Sequence, residues 1–338
     1  MKAYILDRYG KGQALRLGEV PDPVAAAGEV LVEIHATALN QLDGKIRSGA
    51  FKPILPYKPP FVLGHDLAGE IVSVGAGVRR FRVGDTVYAR PRDGQIGTFA
   101  QRIALNEADV ALKPKNLSME EAASLPLVAL TVWQLLVERA QLKAGQKILI
   151  HAGSGGVGTI AIQLAKHLGA TVATTTSAAN ADLVRGLGAD VVIDYRTQDF
   201  SAILSDYDVV LHSLDAETLE ASLKILKPGG KLISISGPPD PAFAKAQALN
   251  AILRLVLRVM SAGIRRKARR ADVDYSFLFM RANGEQLGEI AKLVEDGTIR
   301  PVVDRVFPFA DINAAMAYVG SGRAKGKVVV NVKDGQGA

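Results

Sequence analysis

The sequence contains no cysteine. That excludes a disulfide framework, a thiolate nucleophile and any zinc site built on thiolates. Tryptophan occurs once, and no run of eighteen apolar residues exists, so no membrane span is expected. The opening MKAYILDRYG lacks an apolar stretch of secretory type and reads as a strand, which makes a soluble cytoplasmic enzyme the expectation. Acid is missing from one place in particular. Residues 254–270 carry Arg254, Arg258, Arg265, Arg266, Lys267, Arg269 and Arg270 with no Asp or Glu. The formal net charge of +7 is accounted for by this segment, so a basic surface for nucleic acid is not expected.

What is present suits a globular protein. A chain of 338 residues, 48% hydrophobic and 22% charged, is long enough for two domains with a sizeable core. Up to about residue 110 it reads as short strands separated by turns. Val30–Ala36 partly alternates, and Gly64–Val74 and Val83–Ala89 are apolar and β-rich. No helix-length periodicity is evident before residue 118, so this half is expected to be a β-rich barrel or a set of partial sheets. Ser118-Met-Glu-Glu121 is a capping box, and helices interrupted at Pro126 are expected over 119–140.

From residue 147 strands and helices alternate. Strands are predicted at 147–151, 172–176, 191–194, 209–212 and 231–236, with helices at 159–168, 181–187 and 216–226 between them. That alternation specifies βαβ units and a parallel sheet. A helix over 284–297, a strand over 302–308, a helix over 311–319 and a strand over 327–332 complete the chain. This last part is assigned back to the N-terminal domain. The fold class is therefore α/β, with a β-rich domain over 1–124 and 282–338 and a doubly wound dinucleotide-binding domain over 125–281.

The strand 147–151 runs into Gly153-Ser154-Gly155-Gly156-Val157-Gly158 and then an apolar helix. Gly153, Gly155 and Gly158 form G-x-G-x-x-G in strand–turn–helix context. The first glycine permits the tight turn, the second admits a pyrophosphate and the third lets helix and strand pack closely. The helix N-terminus offers free N–H groups and a positive dipole to phosphate. No acid stands between Gly158 and Asp182. A carboxylate after the second strand would hold an NAD ribose and repel a 2′-phosphate. Here Thr174–Thr176 and Ser177 stand instead, which favours NADPH. Arg196 is either the basic partner of that phosphate or a solvated surface residue.

Several separated motifs then coincide. They are Asn40-Gln-Leu-Asp43-Gly-Lys45, Gly64-His65-Asp66-Leu-Ala-Gly69, Gly84-Asp85-Thr-Val87, Leu125-Pro126 with Leu130-Thr131, the 153–158 loop, Leu187-Gly-Ala-Asp190 and Gly326-Lys327-Val328-Val329. In these, over nearly its whole length, the chain resembles the medium-chain dehydrogenase/reductase superfamily. The branch is that of zinc-independent quinone oxidoreductases and 2-alkenal (enone) reductases, including the quinone oxidoreductase homologues of the chloroplast envelope. The resemblance implies a GroES-like catalytic domain, an inserted Rossmann domain, an active site in the cleft between them and a homodimer. It implies Asn40 and Thr131 near the nicotinamide, and Tyr195, Asn180 and Ser177 near the adenosine 2′-phosphate. Lys325, beside the Gly326 motif, completes the cofactor candidates. Plant relatives carry an Arg just before the position of Asn180, where this chain has Ala179, so the phosphate clamp is less complete here.

Zinc-dependent members use a Cys near position 41 and a His-Glu pair after Gly64. This chain offers His65, Asp66 and Asp43 as the donors that remain. The reading adopted is no metal, with His65 a hydrogen-bonded residue of the active site. A site without metal suits hydride delivery to an activated acceptor, a quinone or the β-carbon of an α,β-unsaturated carbonyl. The alternatives are a zinc alcohol dehydrogenase with unusual His/Asp ligands and an NADPH-binding protein with little catalysis. The catalytic candidates are Asn40, Asp43, Lys45, Tyr57 and His65. By spacing alone Lys45 is a surface lysine on a short helix; the resemblance makes it a donor to the developing oxyanion. Tyr57 either lines the mouth of the cleft or packs in its loop. Residues 249–270 read as an amphipathic helix broken at Gly263 and followed by a basic run. They are either a subunit-contact or cleft-covering insertion, or a peripheral contact with an anionic membrane.

Overall fold

Val30, Val32, Ile34 and Ala36 point to one side of the strand Glu29–Leu39 and are fully buried, as the period of two requires. From Ala36 to Leu39 every residue is buried, and there Lys327–Asn331 takes the place of Arg102–Asn106 as the neighbour on one edge. The chain is described over residues 1–333 of a computed structural model. It divides into two units, Met1–Leu130 with Arg281–Ala338, and Thr131–Met280.

In the first unit a seven-stranded sheet runs in the order Val303–Pro308, Lys327–Asn331, Glu29–Leu39, Asp66–Val74, Thr86–Ala89 and Val110–Leu112, with Arg102–Asn106 also paired to Glu29–Leu39. A second, three-stranded sheet holds Arg16–Glu19, Lys2–Leu6 and Phe61–Val62. The C-terminal strand Lys327–Asn331 lies antiparallel to Glu29–Leu39, with Val328 opposite Leu39 and Val330 opposite Thr37. Between Arg90 and Gly97 the loop is held by ion pairs. Arg92 grips Asp109 with two bonds, of 2.6 and 2.9 Å, and Arg90 reaches Asp93 at 2.6 Å.

The short helix expected around Lys45 is present. Gln41–Ser48 forms directly after the strand ends, with the Asp43 carboxylate accepting the Asn40 N–H at 2.7 Å and Gly49 closing it at φ 86°. It has few apolar residues and a Gly44 in its middle, so periodicity does not reveal it. The Ser118 capping box is present in both directions, Glu121 N–H to Ser118 Oγ at 3.2 Å and Ser118 N–H to Glu121 Oε2 at 2.9 Å. It opens Met119–Ala123; Pro126–Trp133 follows, and a π-helical turn over Gln134–Ala140 ends the region.

The second unit is a six-stranded, all-parallel sheet in the order Val191–Asp194, Thr171–Thr176, Lys147–Ile150, Tyr207–His212, Leu226–Ser234 and Asp274–Phe277. Its first strand in sequence lies inside the sheet and the chain winds outward both ways, the Rossmann arrangement. The sequence pattern misses the sixth strand, Asp-Tyr-Ser-Phe, in which an acid and a serine interrupt the apolar run. The helix expected over 216–226 is Ala216–Ser222, and the strand after it starts early, at Leu226. The amphipathic segment breaks at Ser261 rather than Gly263. Ser261 Oγ bonds the Leu257 carbonyl at 2.8 Å, and two helices result, Ala251–Met260 and Ala262–Arg270, with Gly263 inside the second.

Two histidines end adjacent strands of this sheet and are fully enclosed. His212 donates from Nε2 to the Asp215 carbonyl at 3.0 Å and accepts at Nδ1 from Ser234 at 2.9 Å. His151 Nε2 donates to Ser222 Oγ at 3.0 Å, and that hydroxyl donates onward to the Thr218 carbonyl. Both rings are satisfied when neutral. Burial pushes the pKa of His151 down to about 3 and that of His212 down to about 4. In the unfolded chain both titrate near 6.5, so below that pH the unfolded state binds protons that the folded state refuses. Their contribution is complete above about pH 6.5 and is lost as pH falls toward about 4. The urea midpoint is therefore expected to drop between pH 7 and pH 4.5, and His212→Gln to show a shallower drop than wild type. Parallel profiles for the two proteins would remove His212 as a cause.

Candidate active site

Asp66 begins its strand wholly out of contact with solvent, and each of its oxygens is occupied. Oδ1 accepts the Leu127 N–H at 2.7 Å, from the first turn of Pro126–Trp133, where the helix dipole favours an anion. Oδ2 accepts from Asn40 Nδ2 at 2.9 Å and from Lys327 Nζ at 3.0 Å. The same ammonium donates to Asn40 Oδ1 at 2.6 Å and to the Leu39 carbonyl at 3.1 Å. Asn40 is thus fixed through both ends of its amide.

A second buried dyad adjoins this network through Asn40. Asp43 Oδ2 accepts the Asn40 N–H, and Asp43 Oδ1 lies 2.6 Å from His65 Nδ1. With the Nδ1 proton directed at that carboxylate, Nε2 is the free end of the ring. It is buried and has no hydrogen-bond partner among the described residues. His65 and Asp43 are both fully enclosed.

The second unit carries the glycine loop. A Cβ on Gly153 would overlap Thr174 Oγ1, and one on Gly158 would overlap the Ala152 carbonyl and Gly153 Cα. Those two glycines are demanded by the protein's own packing. On Gly155 the nearest atom would be the Ala152 carbonyl oxygen at 3.3 Å, so its bareness leaves a cradle for something else. Gly155 caps the helix Gly156–His167 without a side-chain bond, which leaves the first amides for a ligand. Ser154 Oγ accepts from Thr176 Oγ1 at 2.9 Å and from Asn180 Nδ2 at 3.2 Å, so its own proton is available. Asn180 Oδ1 is buried and has no hydrogen-bond partner among the described residues. Tyr195 is exposed at the next strand end, with the Arg196 guanidinium 5.8 Å from its ring centroid. These groups fit a dinucleotide phosphate.

Family models for the alcohol dehydrogenase GroES-like domain and for the zinc-binding dehydrogenase match residues 26–115 and 187–330. The chain is 35% identical to the chloroplastic NADPH-dependent alkenal/one oxidoreductase of Arabidopsis thaliana, over 98% of this chain and 79% of that protein. It is 35% identical to the chloroplastic quinone oxidoreductase QR1 of Triphysaria versicolor, over 98% of each. Among solved structures, a quinone oxidoreductase from Coxiella burnetii superposes with a TM-score of 0.86 at 29% identity, over 98% of this chain and 99% of that one. The chain belongs to the medium-chain dehydrogenase/reductase superfamily. It is an oxidoreductase of that superfamily, with a GroES-like unit and a nucleotide-binding parallel sheet.

The zinc in the name of one matching model finds no suitable donors here. A catalytic zinc takes three protein ligands. Both oxygens of Asp66 and both of Asp43 are committed, and an ammonium already neutralises Asp66. His65 Nε2 is the single donor left. Among the described residues no group of three or more His, Cys, Asp or Glu side chains is arranged to hold a metal. The residues of this superfamily member do not fit zinc.

Hydrogen bonds join Asn40, Asp43 and His65, and within the first unit Lys45, Tyr57 and Lys325 are not part of that network. Lys45 is exposed on the helix Gln41–Ser48, and its ammonium bonds no group among the described residues. Tyr57 is half-buried in its loop. Its hydroxyl accepts the Gly94 N–H at 3.3 Å, its ring packs 5.2 Å from that of Phe61, and burial raises its pKa. Thr131 is buried in Pro126–Trp133. Ser177 precedes the turn to Asn180, whose N–H bonds the Ser177 carbonyl at 2.9 Å. Lys325 is exposed, whereas Lys327, two residues on, enters the network. Lys327 was the residue that the motif reading passed over. The available signal was a lysine opening a strand that continues as three valines, since a buried lysine requires a partner.

Removing one partner of a buried ion pair strands the other, at a cost of about 3–5 kcal/mol. Lys327→Met is expected to lower the unfolding free energy by about that amount. Adding Asp66→Asn in the same chain should restore a good part of it. Denaturant melts measure both. A single variant as stable as wild type, or a double variant no better than the single, would contradict the pairing.

Proposed function

We propose that this protein is an NADPH-dependent reductase that delivers hydride to a quinone or to the β-carbon of an α,β-unsaturated carbonyl, without zinc. The observation that carries this reading is the full commitment of Asp43 and Asp66 to hydrogen bonds and to Lys327. Alcohol oxidation needs an alkoxide stabilised, normally by a metal with three free ligands behind it, and that donor set is spent here. The names of the Arabidopsis and Triphysaria relatives point to the same acceptors and to NADPH.

In this reading Gly155, the amides at the start of Gly156–His167 and the Ser154 hydroxyl hold the pyrophosphate and adenosine end. Thr176, Asn180, Tyr195 and Arg196 are the groups available to a 2′-phosphate, with no carboxylate on the strand Thr171–Thr176 to repel it. Bound NADPH supplies the hydride. The acceptor gains that hydride at carbon or ring, and the displaced electron pair moves to the carbonyl oxygen, which a proton from water later neutralises. The residues must meet the charge on that oxygen while it forms. Asn40, clamped at both ends, keeps its position without reorganising. Lys45 has a free ammonium and is proposed as the donor to the oxyanion.

NADPH consumption measured against short enals, enones and quinones tests this, with a primary alcohol plus NADP⁺ as control. Turnover of an enone or quinone, a higher kcat/KM with NADPH than NADH and indifference to a chelator are expected. Alcohol oxidation that a chelator abolishes and zinc restores would overturn the reading. Lys45→Ala should lower kcat/KM for an enone on the order of tenfold or more while NADPH affinity stays unchanged. An unchanged rate would make Lys45 a solvated surface residue.

A further inference from the structure

The helix Ala251–Met260 leaves one face uncovered. Ile252, Leu255 and Val259 are 75%, 61% and 66% exposed, and Val256 and Met260 are exposed beside them. Their spacing puts all five on one side of the helix. Scattered exposed apolar residues are ordinary, but five forming a continuous stripe are not. Poor packing of the segment does not explain it. Asn250 Oδ1 caps the helix by accepting the Leu253 N–H at 2.9 Å, and Leu257, on another side, is buried. The next helix, Ala262–Arg270, sinks Ile264 and Ala268 into the core of its unit. The stripe is presented outward by an anchored pair of helices.

Charge surrounds it. Arg254 and Arg258 lie on the far side of the first helix, and the second adds Arg265, Arg266, Lys267, Arg269 and Arg270. Lys267 is paired with Glu220 at 2.6 Å; among the described residues none of the six arginines makes an ion pair. A second copy of this chain is a poor cover for such a stripe. A two-fold contact lays each patch against itself, which would bring the unpaired arginines of the two copies' second helices close together. An anionic lipid surface satisfies both features. The stripe enters the boundary between headgroups and acyl chains, while the guanidiniums of the second helix reach lipid phosphates. The helix has ten residues, about 15 Å, half of a hydrocarbon core, so it lies on the bilayer and does not cross it.

We propose that the helix pair 251–270 docks this protein on the surface of an anionic lipid membrane. The proposal does not depend on the acceptor being a quinone or an enone, and its readout is binding rather than turnover.

Co-sedimentation of the full chain with vesicles tests it, using phosphatidylcholine mixed with phosphatidylglycerol against phosphatidylcholine alone. Binding to the anionic vesicles should be stronger on the order of tenfold or more, and should weaken as salt rises. Ile252→Gln, Leu255→Gln and Val259→Gln together should reduce it on the order of tenfold at low salt, with all charges still present. Arg265→Gln, Arg266→Gln, Arg269→Gln and Arg270→Gln together should weaken binding and flatten its salt dependence. Both variants should melt at the wild-type temperature, since every altered side chain points to solvent or its edge. Equal binding to neutral vesicles, or full binding by the apolar triple variant, would overturn the proposal. So would a dimer in size-exclusion chromatography that the triple variant converts to monomer, because the stripe would then be a subunit interface.

Discussion

Asp66 carries a negative charge into a place water does not reach, and much of the first unit is arranged around satisfying it. Its partners come from three separate stretches: Thr37 and Asn40 at the end of one strand, Leu127 at the start of a helix, and Lys327 from the C-terminal strand; the Thr37 hydroxyl bonds the Asp66 carbonyl at 2.6 Å. A buried ion pair contributes little net stability compared with apolar packing, but it is intolerant of losing a member. The chain therefore has a physical reason to bring residues 327–331 back to the N-terminal sheet. Lys327 reaches Asp66 across 261 residues of sequence. The fold of the first unit and the shape of its polar interior are one solution.

The same arrangement decides which chemistry the polar interior supports. A zinc dehydrogenase keeps carboxylate and imidazole donors open to a metal. Here the ammonium of Lys327 supplies the cation internally, and Asp43 is turned to His65 and the Asn40 amide. What remains is a rigid amide at Asn40 and an imidazole with one free nitrogen. Such a site positions and polarises; it does not assemble a Lewis acid. The second unit divides its glycines in a comparable way. Gly153 and Gly158 serve close packing of strand and helix, and at Gly155 that packing makes no such demand. The histidines that end two strands of this sheet, His151 and His212, are bonded as neutral rings and belong to the sheet's interior.

Features set by a few neighbouring residues were legible from the sequence. The Ser118 capping box, the strand–glycine–helix turn at 153–158 and five of the six parallel strands all depend on bonds made within a short span or on a clear periodicity. Other elements carried a weaker periodic signal or none. Helix Gln41–Ser48 has too few apolar residues to show a period, and it is held by Asp43 at one end and Gly49 at the other. Strand Asp274–Phe277, Asp-Tyr-Ser-Phe, has an acid and a serine among its four residues and pairs only with Leu226–Ser234 at the edge of the sheet. The break at Ser261 comes from a side chain bonding its own preceding turn, while the glycine that looked like a breaker sits inside a helix.

The sequence by itself determined that no thiolate chemistry is available, that a dinucleotide loop opens a parallel sheet, and that one acid-free segment holds the excess charge. Those follow from residue identity and local backbone geometry, which no distant contact alters. Only the tertiary structure decided which of two nearby lysines is functional scaffold, which oxygens of Asp43 and Asp66 are already taken, and which side of the helix 251–260 stays bare. Each of those is a question of what stands opposite a side chain. The partner is a residue far away in sequence, brought close by packing that the local pattern does not encode.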